Sequence, residues 1–327
     1  MILGRELASW LGDGARQSRA RQRISTFGRA WHDGPVSRRI ATALAALPAA
    51  TAETVAAAVA DLFADDRWLA ELLDGIAGEM RADPFFEPPF AVLQSEIHSG
   101  LMVYDDARVS IAAGVTGAAQ LAAKKNGRRA AASINFPGNV IVLKILASGG
   151  AYFSFWKAPP TSADFTAAAA PRCAPEGGRY VGDGETLVID GRRQSYVIEH
   201  AASDLVVLQA NVKCGQAPLA AEYDADSHEL VGVSAANDAD SRVQMIATFL
   251  RLMDREDAFE AIAAFADDPS FFVRWHVMRE LLGLDAEAAL PMLEKMAARD
   301  PHPDVRAAAR ITLDQLGELP AERKEAA

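Results

Sequence analysis

The segment DPSFFVR at 268–274 returns as DPHPDVR at 300–306, with Asp-Pro opening and Val-Arg closing each copy at an offset of 32 residues. No other feature constrains the chain as strongly. A degenerate third copy sets Arg242 one period upstream, and apolar positions keep the same shift: Met245, Val277 and Ala309; Phe249, Leu281 and Leu313; Ala261 and Leu293. A period in the thirties with helical spacing describes stacked helix pairs, each burying its apolar face against its neighbours. In each copy the aspartate is expected to cap a helix, the proline to suit its first turn, the valine to face the core and the arginine to bridge to a neighbouring repeat's acid. Residues 237–318 hold about two and a half units, whereas a free-standing array needs roughly three or more. The β-region, the N-terminal helices or another subunit must therefore complete the stack.

Upstream the texture differs. From Ser37 to Arg81 apolar residues recur at three- and four-residue spacing, through Ile40, Leu44, Val55, Val59, Phe63, Leu69, Leu72 and Ile76, which predicts two short helices and a connector over 40–83. Thr51 and Thr54, with Glu53 between them, mark a helix start. PFFEPPF at 84–90 ends that pattern, because clustered prolines deny the helix its donors. Residues 84–236 then read as β: Leu101–Tyr104, Val109–Ala112, Val140–Leu146, Tyr152–Trp156, Thr186–Ile189, Ser195–Glu199 and Leu205–Gln209 are short β-branched or aromatic runs between turn residues. One short helix is expected at 117–125 and a long surface loop at 159–178. So many short strands without long helices between them predict an antiparallel jelly-roll or barrel, and the whole chain an α+β protein.

Charge and cysteine content narrow the setting. The net charge is −11, yet residues 1–39 carry eight arginines against Glu6, Asp13 and Asp33. This basic arm is expected to be solvated or locally helical, and the tail at 319–327 closes the chain. The acidic total argues against a dedicated nucleic-acid binder, and the basic turn of Lys124, Lys125, Arg128 and Arg129 is too short for a nucleic-acid platform. With Cys173 and Cys214 as the only thiols, no disulfide framework or cysteine-rich cluster is expected, which fits a reducing, cytoplasmic setting. No window has the length and apolarity of a membrane span.

Two resemblances follow from these residues. The D-P-x-x-x-V-R helix start with two helices per unit resembles HEAT repeats, which implies an α-solenoid and a surface for a protein or peptide partner. GDGETLVIDGRRQSYVIEHAASDLVVLQA at 182–210 resembles the cupin jelly roll, which implies a barrel with a ligand cavity. The Gly and His-x-His pair with glutamate, and the later Pro-x-Gly and His, of metal-binding cupins do not stand in this sequence. The resemblance is therefore to a metal-free member.

No nucleophile elbow, phosphate loop or dinucleotide fingerprint appears in its required context, so no catalytic residue, cofactor or metal is assigned. Glu96 and His98, two apart on an expected strand, form either an acid–imidazole pair facing a cavity or ordinary solvent-face residues. Tyr196 and His200 could face the same cavity, and Trp156 belongs to a strand apolar on both faces. In the helix FVRWHVMRELL, the residues Arg274, Trp275, His276 and Arg279 combine an aromatic with cations, as binding hot spots do; Trp275 could equally fill the seam with the β-region. The sequence thus supports an interaction module, alone or as a homodimer, and alternatively a small-molecule sensor or metal-independent isomerase or lyase using Glu96, His98, Trp156, Tyr196 and His200.

Overall fold

A computed structural model describes residues 2–127 and 133–318. The tail at 319–327 and Arg128 and Arg129 of the basic turn lie outside the described residues. The chain opens with five helices, α1 (Ile2–Leu11), α2 (Gly14–His32), α3 (Pro35–Ala45), α4 (Ala52–Phe63) and α5 (Arg67–Ala82). Asp13 starts α2 by accepting from the Arg16 N–H, and Thr51 with Thr54 forms a reciprocal capping box at α4. The expected arm is helical, but it is not a solvated one. Phe27 and Trp31, four residues apart on α2, pack into the same core as Ile40, Val59, Phe63 and Leu72, and the Trp31 indole donates to the Val103 carbonyl at 2.7 Å. Arg19, Arg21 and Arg29 of the helix are exposed, Arg23 bonds Glu79 of α5, Arg16 lies over the Phe85 ring, and position 39 falls inside α3 rather than at a boundary.

Twelve strands follow among the described residues: β1 (Ala91–Gln94), β2 (His98–Asp105), β3 (Val109–Thr116), β4 (Ser133–Phe136), β5 (Val140–Ala147), β6 (Tyr152–Lys157), β7 (Ala174–Tyr180), β8 (Thr186–Asp190), β9 (Gln194–His200), β10 (Leu205–Val212), β11 (Leu219–Asp224) and β12 (Leu230–Ala235). Helix α6 (Ala118–Gly127) is inserted after β3. Six strands pair antiparallel in the order β1-β2-β3-β10-β5-β8, and two three-stranded sheets, β12-β11-β4 and β7-β6-β9, face them. The two small sheets meet at β4 and β9, where the Ser195 hydroxyl donates to the Asn135 carbonyl. The result is a two-layered antiparallel jelly roll.

The centre of the large sheet, at β5 and β10, is buried on both faces. Val140, Val142, Leu208, Ala210 and Val212 pack outward under α3–α5, whereas Ile141, Leu143, Ile145 and Leu205 point into the barrel with Phe153 and Ile198. This explains the unbroken apolar run of β5. The turn after β5 uses Gly149 with φ +57°, where a Cβ would stand 2.2 Å from the Ser203 carbonyl oxygen, so only glycine fits. The expected loop at 159–178 is shorter, because APEGGRY pairs with β6 as β7. Its glycines and proline hide it from a propensity reading, and an edge position tolerates them.

Five helices close the chain: α7 (Asp238–Leu252), α8 (Phe259–Ala263), α9 (Phe271–Leu284), α10 (Ala286–Arg299) and α11 (Pro303–Glu318). Val273 and Val305 are buried as the repeat requires. The aspartates behave differently from expectation: Asp268 and Asp300 lie one turn upstream and accept from the N–H of Ser270 and His302 respectively. Ser270 precedes α9, and the His302 Nδ1 accepts from the Asp304 N–H at the start of α11, where Pro303, not Pro301, opens the helix. Each motif arginine folds back on its own copy, Arg274 to the carbonyls of Asp268 and Pro269 and Arg306 to those of Asp300 and Pro301. Among the described residues no helix is long and apolar enough to cross a membrane.

Candidate functional site

A cavity of about 1060 Å³ opens between the two layers, lined by residues of β4, β9, β10 and α6. The hairpin between β1 and β2 brings Glu96 and His98 to its mouth, β6 supplies Trp156, and β9 supplies Tyr196. Four of the five sequence-derived pocket residues therefore converge. His200 does not: at the end of β9 it stacks on Tyr152, ring centres 5.6 Å apart, and packs edge-on against Tyr180. Register shifts in the β6–β9 pairing between Tyr152 and Phe153, so the alternation that carries Tyr196 and Ile198 inward does not extend to it.

Glu96 and His98 are also not a strand pair. Glu96 sits in the turn before β2 and ion-pairs with Lys124 of α6 at 3.3 Å, whereas the His98 Nδ1 meets the Thr116 hydroxyl at 2.7 Å across the β2–β3 ladder. Partial burial at the mouth, and secondarily the positive Lys124, lower the His98 pKa from 6.5. Titration of its ring protons by NMR should show a midpoint below 6.5, and Lys124→Met should move that midpoint upward while leaving it short of the free value. Deeper in, Tyr196 stacks on Phe153 with centres 5.1 Å apart. Part of its surface opens to the cavity, but protein surrounds the ring and pushes its hydroxyl up to about 12. It remains a neutral donor.

Sequence reasoning missed several polar residues of this cavity, among them Gln209, Asn211 and Glu199. Gln209 and Asn211 alternate with Leu208, Ala210 and Val212 on β10, and the Gln209 amide donates to Asn211 Oδ1 at 3.0 Å. Two amides in an otherwise apolar central strand were the legible signal. Glu199 lines the opposite wall, bonded to Lys125 at 2.7 Å and to the Ser154 hydroxyl. Burial raises its pKa, but these bonds outweigh it and the net shift is downward. Two amides and a phenol thus stand deep in the cavity, with the His98 imidazole at its mouth. No group of three or more His, Cys, Asp or Glu among the described residues is placed to hold a metal ion, so the donor set does not fit a cupin-type metal.

A second concavity, about 350 Å³, runs across α7, α9 and α11. Trp275, His276 and Arg279 line it with Phe271, Phe272, Gln244 and Val305. His276 Nε2 lies 2.8 Å from the Thr248 hydroxyl and 3.0 Å from the Gln244 carbonyl, which fixes the ring as part of the floor. Trp275 is half-buried against the core of α10 and α11, and Arg279 is exposed. Arg274 is not part of this surface. It is buried, and its guanidinium holds Asp300 with two bonds of 2.8 and 2.7 Å, which makes it the inter-repeat bridge.

Residues 232–314 match the family of HEAT repeats. No curated protein sequence matches the chain. Among solved structures, ectoine synthase from P. lautus aligns at 8% identity over 38% of this chain and 70% of its own, with a TM-score of 0.22. A cupin domain from Bordetella pertussis aligns at 9% over 37% and 99%, TM-score 0.21. A cupin-superfamily sugar phosphate isomerase from Silicibacter pomeroyi aligns at 6% over 45% and 85%, TM-score 0.24. The jelly-roll assignment rests on the strand pairing described above.

Proposed function

We propose that the chain is a protein- or peptide-binding module whose contact surface is the groove across α7, α9 and α11. The observation that carries this reading is the placement of Trp275 and Arg279 in one groove of a HEAT-repeat array. The groove is lined mainly by aromatic and aliphatic surface, and Arg279 makes no ion pair among the described residues. An apolar side chain seated on Trp275, followed by an acidic residue at Arg279, is the complementary partner chemistry. Affinity capture with the full chain, followed by binding titration of the recovered partner, tests this. Trp275→Ala or Arg279→Glu should weaken binding about thirty-fold, the scale of a hot-spot residue. Partners that bind both variants as tightly as the unaltered chain would refute the groove as the contact surface.

A second reading is supported by the convergence of Glu96, His98, Trp156 and Tyr196 on the barrel cavity. It is a small-molecule site, with amide and phenol donors deep inside and a charged rim of Glu96, Lys124, Lys125 and Glu199, suited to a ligand with polar groups at both ends that rests on the apolar walls of Ile141, Ile189 and Ile198. Quenching of Trp156 fluorescence by such a ligand, lost in Tyr196→Phe and Gln209→Leu, would support it.

A further inference from the structure

The first helix of the repeat array leaves a large apolar stripe uncovered. Met245, Ile246, Phe249, Leu252 and Met253 on and just after α7 are 70%, 57%, 61%, 69% and 50% exposed. One period later the counterparts of the first four, Val277, Met278, Leu281 and Leu284, are all buried. Gln244, Thr248 and Arg251 bond α7 to His276 and Glu280 of α9, and at 100° per residue the stripe lies on the opposite side of the helix. It is therefore the open end of the stack. Terminal repeats ordinarily present a polar outer face, and this one does not.

The pattern of the stripe says what covers it. Read outward from Phe249, the helix carries Ile246 and Leu252 at three residues, and Met245 and the C-cap Met253 at four. Size and chemistry mirror one another about Phe249. An antiparallel pair of such helices related by a two-fold axis at Phe249 sets Met245 against the other copy's Met253 and Ile246 against its Leu252. The five apolar side chains present on the order of 500 Å², close to the apolar share of the roughly 800 Å² that each partner buries in a standard-size interface.

We propose that two copies of this chain pair through α7, end to end across their repeat arrays, with Phe249 on the two-fold axis. The partner copy supplies the neighbour that the first repeat lacks. This inference is independent of the groove at Trp275, which faces a different side of α7. Light scattering of the full chain over a micromolar range should give twice the 34.9 kDa chain mass. Phe249→Glu should raise the dissociation constant at least about thirty-fold, and because the side chain is exposed its thermal unfolding as a monomer should stay cooperative. In a Cys173→Ser, Cys214→Ser background, Phe249→Cys should cross-link to itself on oxidation, whereas Met245→Cys should cross-link only with Met253→Cys. A monomer at all concentrations, a dimer indifferent to Phe249→Glu, or cross-linking of Met245→Cys to itself would overturn the proposal. Trp275→Ala should leave the mass unchanged, so failure of the groove and failure of this pairing are separately visible.

Discussion

Arg274→Met is expected to destabilise the helical repeats by about 3–5 kcal/mol, because it strands the Asp300 carboxylate in a buried site without its guanidinium. The same change removes the donors to the Asp268 and Pro269 carbonyls, so the turn before α9 loosens together with the link to the next repeat. Chemical denaturation followed by circular dichroism measures the loss, and the double variant Arg274→Met with Asp300→Leu should recover much of it, since a packed apolar pair replaces a charge left alone. The pH dependence carries a sign. Burial alone would raise the pKa of Asp300, but the bonds from Arg274 and from the His302 N–H outweigh it and hold the carboxyl below its ordinary value. The folded state thus binds its proton less readily than the unfolded chain. The contribution is complete above the ordinary carboxylate range, near pH 4, and is lost as pH falls through the lower folded value. In Arg274→Met the stranded carboxyl takes up a proton more readily, so the deficit relative to the unaltered chain should be greatest at neutral pH and shrink under acid. A deficit below about 1 kcal/mol at pH 7 would mean the pair behaves like a surface bridge.

Repetition made this bridge legible in advance, and repetition is also why the helical third was read most closely. Val273 and Val305 had to be core and Arg274 had to find a neighbouring acid once the 32-residue period was seen, because equivalent positions share equivalent surroundings. The reading placed Arg274 among surface residues as well, since a sequence shows that an arginine has a partner more easily than how deeply the pair lies. The jelly roll was legible from strand texture and turn chemistry, but its edges were not: APEGGRY has no β-branched residue, and it is held by pairing with β6. Tyr196, named for its phase on its strand, and Trp156, named from a strand apolar on both faces, both line the cavity. His200 was misplaced because alternation is broken by a register shift that only pairing reveals. Gln209 and Asn211 were overlooked although their alternation with Leu208, Ala210 and Val212 was in plain view, because a search for catalytic residue types passes over amides.

Trp31→Ala is expected to cost about 3 kcal/mol, a result that separates a packed α2 from a solvated arm. The indole lies 6.0 Å from the Trp68 ring and 6.1 Å, edge-on, from Phe90, and its N–H satisfies the Val103 carbonyl of β2. Truncation removes aromatic packing and leaves that acceptor short of a partner. Replacing exposed Arg19, Arg21 or Arg29 of the same helix by alanine should change stability by no more than about 0.5 kcal/mol. Thermal unfolding of the four variants side by side therefore reads out which face of α2 matters, and equal, negligible effects would restore the detached arm. The charge asymmetry of the chain then takes a different meaning. Deleting residues 1–39 would not trim a basic appendage but remove Phe27, Trp31 and the first turns of α3 from the layer that covers the large sheet. A loss of binding to any acidic partner after such a deletion would report unfolding of that layer. Only substitution of the outward arginines with Trp31 intact can ask what the basic face itself does.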